Sequence, residues 1–198
     1  MARPRRSEQS RQSILEQGVK LLSEQGYNGT GLKQILDAVQ VPKGSFYNYF
    51  DSKEHFAAEI IRHYVNNLLS GLDDFITGSS SDPRETLRTA YRYAVDLMAE
   101  DGCRKGCLLG NLAAEIGASS PLCQQALQES WQEWKFSFLP LIQDGQEQGL
   151  FRTDISADDL TDLFWNLWEG GLLRMKLEGS TEQLSRSLDL TLDHLFKP

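Results

Sequence analysis

The sequence predicts an all-α chain of about nine helices, and three observations carry that reading. Apolar residues recur mostly at spacings of three and four, proline is scarce, and glycine falls at segment boundaries. With 198 residues, 40% of them hydrophobic, the chain can bury a sizeable core. It has room for one medium domain, or for a small domain joined to a larger one.

The first helix is expected from about Glu8 to Gln25, with Ile14, Leu15, Val19, Leu21 and Leu22 on its apolar face and Gly26 as a left-handed stop. Thr30 is placed to cap a short second helix carrying Leu32, Ile35, Leu36 and Val39. Val41-Pro42 breaks it, since proline disfavours helix in the residue before it and favours a new first turn after it. A third short helix runs from Lys43 to about Phe50, and Asp51 or Ser52 starts a longer fourth with Phe56, Ile60, Ile61, Tyr64 and Leu68. Thr77 to Ser81 reads as a loop. Asp82-Pro83-Arg84-Glu85 then has the cap, first-turn proline and returning glutamate of a capping box. Later helices are expected near Gly106–Gly117, Pro121–Gln148, Ala157–Glu178 and Thr181–Phe196, with starts at Ser156 and at Ser180-Thr181.

The net charge is −8, but it is unevenly spread. Residues 1–53 hold eight basic and five acidic side chains, net +3, whereas the remainder holds 12 basic and 23 acidic, net −11. A basic front on an acidic body points to a local polyanion site, or to a solvated tail on an ordinary acidic protein. The helix pattern favours the first. Two short helices joined by a tight turn and flanked by longer ones form a helix-turn-helix, whose second short helix enters the major groove. Phe46 and Phe50, four apart, would face the core, leaving Lys43, Ser45, Tyr47 and Tyr49 pointing outward with hydrogen-bond donors. Gly44 would allow close backbone approach, and tyrosine hydroxyls commonly bond phosphate.

The run VPKGSFYNYFDSKEHF after GYNGTGLKQIL, within residues 11–56, resembles the DNA-binding domain of the tetracycline-repressor (TetR) family. The resemblance implies that Thr30 caps the second helix and touches phosphate and that Lys33 reaches backbone or base edge. It also implies that Lys43, Gly44 and Ser45 present the recognition helix, that Tyr47 and Tyr49 grip phosphates, and that Lys53 opens the fourth helix beside the backbone. Gly31 and Leu32 stand where family members often carry a second Ser/Thr. Arg3, Arg5 and Arg6 lie outside the motif, as a minor-groove or phosphate arm or as an inert tail. The family division is a DNA-binding domain over 1–52 and an effector-binding and dimerisation domain over 53–198. A homodimer through the last two helices would grip a pseudo-palindromic operator in double-stranded DNA, and a small-molecule effector would release it by swinging the fourth helix like a pendulum.

For that interface, or only as core, Leu184, Leu188, Leu192 and Leu195 recur at four, four and three, and Leu160, Leu163, Phe164, Leu167 and Trp168 form a second stripe, with Gly170-Gly171 allowing close approach. Tyr91, Tyr93, Trp131, Trp134, Phe138, Phe164, Trp165 and Trp168 make the body aromatic-rich. Of these, Tyr91, Trp131, Trp134, Phe164 and Trp168 are candidates to touch a flat or hydrophobic effector, or are ordinary packing. Cys107 falls near a helix start just after Arg104 and Lys105, where dipole and cations favour thiolate. KGCLLGNLAAE also resembles a segment of TetR members that sense reactive electrophiles. Cys107 is thus a sensor for an electrophile or oxidant, with Cys103 or Cys123 as resolving partners, or a packed helix-start cysteine. Lys176 is a candidate cationic neighbour.

Rival classes have less support. His55, His63 and His194 are scattered, no nucleophile–base pattern or phosphate-cradling loop stands out, and Cys-x3-Cys without a nearby His is a weak metal signal. No enzyme, cofactor or metal is expected. Three cysteines do not make a disulfide framework. No apolar stretch approaches the ~20 residues of a membrane span, and the arginine-rich start leads into no apolar signal segment, so a cytoplasmic location without a membrane partner is expected.

Overall fold

The computed structural model describes residues 6–78 and 82–198. Its helices are α1 (Arg6–Gly29), α2 (Leu32–Ala38), α3 (Lys43–Phe46), α4 (Lys53–Gly78), α5 (Pro83–Glu100), α6 (Leu108–Ile116), α7 (Pro121–Glu147), α8 (Ala157–Glu178) and α9 (Glu182–Leu190), followed by a π-helical turn, Thr191–Leu195. The described residues contain no strand. None of their helices is long and apolar enough to cross a membrane. Of the loop expected at Thr77–Ser81, Thr77 and Gly78 end α4, and Ser79 to Ser81 lie outside the described residues. Arg3 and Arg5 lie outside them too, and Arg6 opens α1.

The chain forms two compact units that interleave in sequence, one of residues 1–66 and 108–130, the other of 67–107 and 131–198. In the first, α1 to α3 and the first part of α4 join α6 and the start of α7. Ile14, Leu15 and Leu22 of α1, Ile35 and Leu36 of α2, and Phe56, Ile60 and Ile61 of α4 are buried together with Leu108 and Leu112 of α6. The backbone breaks helical geometry at Gly26 (φ 72°, ψ 177°), so the expected stop falls there, although the chain resumes a helical turn through Gly29. That conformation is open only to glycine. A methyl group there would also run into the Glu115 carboxylate of α6. Ser52 caps α4, its hydroxyl oxygen accepting the His55 N–H at 3.0 Å.

Two expectations about caps are corrected. Gly31, not Thr30, is the N-cap of α2, and no side chain bonds there. Thr30 is instead buried, its hydroxyl donating to the Gly26 carbonyl at 2.6 Å with the Leu21 carbonyl at 3.3 Å. A buried hydroxyl satisfies local carbonyls before it caps an exposed end. At α5, Asp82 accepts from the Arg84 and Glu85 amides at 2.8 and 3.2 Å, but Glu85 turns to Arg88 at 3.0 Å rather than back to the cap. The α3 helix is shorter than expected. Beyond Phe46 the Asn48 and Tyr49 amides bond three residues back, tightening the end into turns.

In the second unit, Leu87 and Tyr91 of α5, Trp134, Phe138 and Ile142 of α7, Leu160 and Phe164 of α8, and Leu188 of α9 share one core with Leu192, Phe151 and Phe196. Thr191 donates back to the Ser187 carbonyl at 2.8 Å, and the wider π turn ends with the Phe196 amide on the Thr191 carbonyl at 2.9 Å. Leu184, Leu188 and Leu192 therefore fill their own chain's core, the second of the two roles their spacing allowed, while Leu195 remains exposed. Arg88 clasps α5 to the chain's end, 2.8 Å from Asp189 and 2.5 Å from Asp193. Its hydrogen bond holds the Asp193 carboxyl below the usual aspartate range.

A carboxyl depressed in the folded state stabilises in full above its unfolded pKa and loses that contribution as the pH falls through the folded value. Arg88→Met should therefore lower stability to urea near neutral pH and flatten its decline below about pH 4. Equal acid sensitivity in both proteins would refute the clasp.

Candidate functional site

In the first unit α2, α3 and the turns after α3 carry a row of donors, most of them exposed. Lys33, Lys43, Gly44 and Tyr47 are exposed, Tyr47 by 54%, and Ser45 and Tyr49 are half-buried. Phe46 and Phe50 are fully buried. They contact each other at 5.2 Å between centroids and Phe56 at 5.4 and 4.7 Å. This aromatic knot fixes α3 and turns its other face to solvent. Nothing stands near the position of a Cβ on Gly44, so its backbone is open to approach.

Not every basic side chain belongs to that row. Lys53 opens α4, but its ammonium donates to the Tyr27 carbonyl at 2.8 Å and lies 4.2 Å from the Tyr27 ring centre. Burial lowers its pKa, against a smaller opposite pull from Glu115. Arg11 pairs with Glu59 and sits over Phe50 at 5.3 Å. Both cations thus brace the unit. Thr30, only 1% exposed, is removed from the contact face. Glu115 was not legible as part of this region, yet it accepts the Asn28 amide at 3.1 Å and ties α6 to the end of α1.

In the second unit the expected aromatic residues meet, except that Tyr93 is turned out and 50% exposed. Tyr91 packs edge-on against Phe164 at 4.6 Å and Trp168 at 4.5 Å. Trp131 stacks on Trp134 at 5.1 Å, and Trp165 closes on both at 4.7 and 4.6 Å. Tyr91, Trp134 and Phe164 are buried, while Trp131 and Trp168 are half-buried. Phe164 and Trp168 also line a small crevice of about 10 Å³ between α8 and α9, roughly the room one water needs, with Leu184, Ser187, Leu188 and Thr191. Burial pushes the Tyr91 hydroxyl well above its ordinary pKa.

Cys107 is buried and immediately precedes α6, as its motif implied. Its electrostatic setting differs from expectation. Lys105 turns away to Asp101 at 2.6 Å, and the thiol donates a hydrogen bond to Glu169 of α8. Burial raises the Glu169 carboxyl and that hydrogen bond partly offsets the rise. Glu169 escaped sequence reasoning because only the fold brings α8 to this thiol. The Lys176 side chain passes close to Gly106, its Cδ 3.1 Å from where a Cβ would stand. Cys103 is buried in the same loop at φ 60°. Cys123 belongs to the other unit, fully buried, with its thiol on the Glu54 carbonyl at 3.6 Å. Burial raises its pKa, which makes it a poor resolving thiolate.

With this geometry in place, comparison with known proteins is decisive. The family model for bacterial regulatory proteins of the tetR family matches residues 14–60, and that for the tetracyclin repressor-like C-terminal domain matches 83–190. The chain belongs to the TetR family. This TetR-family chain is 32% identical over 186 residues to the HTH-type transcriptional repressor DhaR of Mycobacterium sp. (strain GP1), covering 94% of one chain and 92% of the other. It is 38% identical over 167 residues to the transcriptional regulator AcuR of Cereibacter sphaeroides, covering 84% of this chain and 76% of that one. A crystal structure of a regulatory protein TetR from Rhodobacter sphaeroides superposes with a TM-score of 0.86 at 36% identity, covering 94% and 98%. The protein is a DNA-binding transcription regulator of this family, and its all-helical fold follows the family pattern.

Lys33→Ala and Lys43→Ala should each reduce the slope of log affinity against log salt by roughly one in duplex titrations, as loss of a phosphate contact does. Thr30→Val should leave that slope unchanged and instead lower unfolding stability by about 1 kcal/mol. A salt slope altered by Thr30→Val would restore it to the contact face.

Proposed function

We propose that the chain is a homodimeric repressor that holds a pseudo-palindromic operator and lets go when Cys107 is modified or a small molecule enters the aromatic interior of the second unit. The exposed donor row on the helix-turn-helix carries the first half of that reading. Lys43, Gly44, Ser45, Tyr47 and Tyr49 enter the major groove and its phosphate walls, and Lys33 reaches the backbone. Lys53 supports this face by holding Tyr27. The functional division falls at 1–52 for DNA contact and 53–198 for sensing and assembly.

A two-headed grip requires a second copy, and α8 offers a face for it. Leu163, Asn166, Gly170, Leu173 and Leu177 recur at three and four along one side and are exposed, Leu173 by 66% and Leu177 by 85%. Leu190 of α9 is exposed as well. Large apolar side chains at helical spacing on a surface mark an interaction face. Gly170, with open space at its Cβ position, allows close approach. Leu173→Glu with Leu177→Glu should shift the dimer to monomer in light scattering and weaken operator binding by at least about tenfold. A double variant that stays dimeric would move the interface elsewhere.

For release, connectivity supports a short route. Cys107 is the residue before α6, and α6 holds the end of α1 through Glu115. An adduct at Cys107 displaces the start of α6, and the repressor leaves its site only insofar as the displaced state binds DNA less well. Fluorescence anisotropy of the protein on its own upstream duplex tests this. N-ethylmaleimide should abolish specific binding by wild type and leave Cys107→Ser bound. Equal loss in both would remove Cys107 from the mechanism, and no loss in either would leave a reversible ligand among the aromatic residues.

A further inference from the structure

One peptide group in the first unit is held from both sides. The Tyr27 carbonyl accepts the Lys53 ammonium of α4 at 2.8 Å, and the Asn28 N–H donates to the Glu115 carboxylate of α6 at 3.1 Å. That oxygen and that N–H belong to the same amide. No peptide bond among the described residues is cis, so the two point to opposite sides. A cation on the oxygen and an anion on the N–H polarise the amide in the same sense, and each strengthens the other's hydrogen bond. Two helices from distant parts of the sequence thus meet on one amide of α1.

The surroundings are shaped to admit the carboxylate. Gly26, at φ 72°, lies against Glu115, and a Cβ there would stand 2.9 Å from the Glu115 Cδ. The Gly26 carbonyl is taken by the Thr30 hydroxyl at 2.6 Å. Lys53 also covers the Tyr27 ring, 4.2 Å from its centre. Between Gly26 and Thr30 the backbone is therefore tied to α4, to α6 and to itself, and α2 begins directly afterwards at Leu32.

We propose that Lys53 and Glu115 act together as positioning residues for DNA binding, clamping the Tyr27–Asn28 peptide and so fixing the angle at which α2 and the donor row leave α1. This rests on the reading of that row as the face that meets DNA. In this role Lys53 contributes through geometry and releases no counterion, which separates it from the phosphate contact that the family resemblance implied. The clamp also gives α6 a direct hold on the DNA reader. Withdrawing Glu115 leaves the Asn28 N–H without its acceptor and weakens the Lys53 bond on the same amide, so both ties loosen together. The operator is then released by as much as the loosened junction binds it less well than the clamped one.

The test uses the full-length protein. Its first part is a double-mutant cycle on affinity for its own upstream duplex, with Lys53→Met, Glu115→Ala and the two combined. Each single variant should weaken specific binding about fivefold or more, the scale of one hydrogen bond. The double variant should bind no worse than the poorer single one, because either change frees the same amide. Glu115→Gln keeps an acceptor oxygen and should recover part of the loss. Lys53→Met should leave the slope of log affinity against log salt unchanged. Losses that simply add overturn the clamp, and a salt slope that falls by about one returns Lys53 to a phosphate.

The second part follows hydrogen exchange at the Asn28 amide without DNA. Exchange should be about fivefold or more faster in Glu115→Ala than in wild type, with Lys53→Met moving it the same way. Rates equal in all three proteins refute the clamp. Should the variants fail to fold, wild type decides alone. An Asn28 amide that exchanges as fast as in a free peptide overturns the clamp, and a protected one supports it. Wild type with no preference for any duplex sinks the donor row, while exchange at Asn28 still decides the clamp.

Discussion

A helix of four residues cannot persist by itself, because forming the first hydrogen-bonded turn costs more backbone entropy than one bond returns. The α3 helix is such a helix, and what holds it is the burial of Phe46 and Phe50 against Phe56. The whole surface proposed to face DNA depends on that knot. Lys43, Gly44 and Tyr47 are useful only while the two phenylalanines fix the turn between them. The same logic explains the two inward-facing cations. Arg11 over Phe50 and Lys53 over Tyr27 brace this unit from within, which sets them apart from the exposed Lys33 and Lys43.

The local features of the fold were legible in sequence because they arise from neighbours along the chain. The break at Gly26, the turn at Val41-Pro42, the caps at Asp82 and Ser156, and the inward facing of Phe46 and Phe50 are all decided within a few residues. What escaped were contacts between distant segments. Thr30 has the residue type of a cap, yet the fold buries it over carbonyls of α1, and a buried hydroxyl must satisfy those first. The stripe of Leu184, Leu188 and Leu192 was correct as an apolar face, but spacing does not say whether the partner is the same chain or another. Here α9 turns it inward, and α8 shows Leu173 and Leu177 outward.

Electrostatics at Cys107 show the same limit. Adjacent cations in sequence argued for a stabilised thiolate, but in space Lys105 goes to Asp101 and a carboxylate takes its place beside the thiol. The thiol is buried beside a carboxylate rather than beside a free cation.

The central claim is that two copies of α3 read one duplex from the same side. Hydroxyl-radical footprinting of the wild-type protein on the DNA upstream of its own gene addresses it most directly. The account predicts two protected segments related by an inverted repeat, centred about one helical turn, ~34–36 Å, or a whole multiple of it apart. A single protected segment, or protection with no symmetry and no helical spacing, would contradict it.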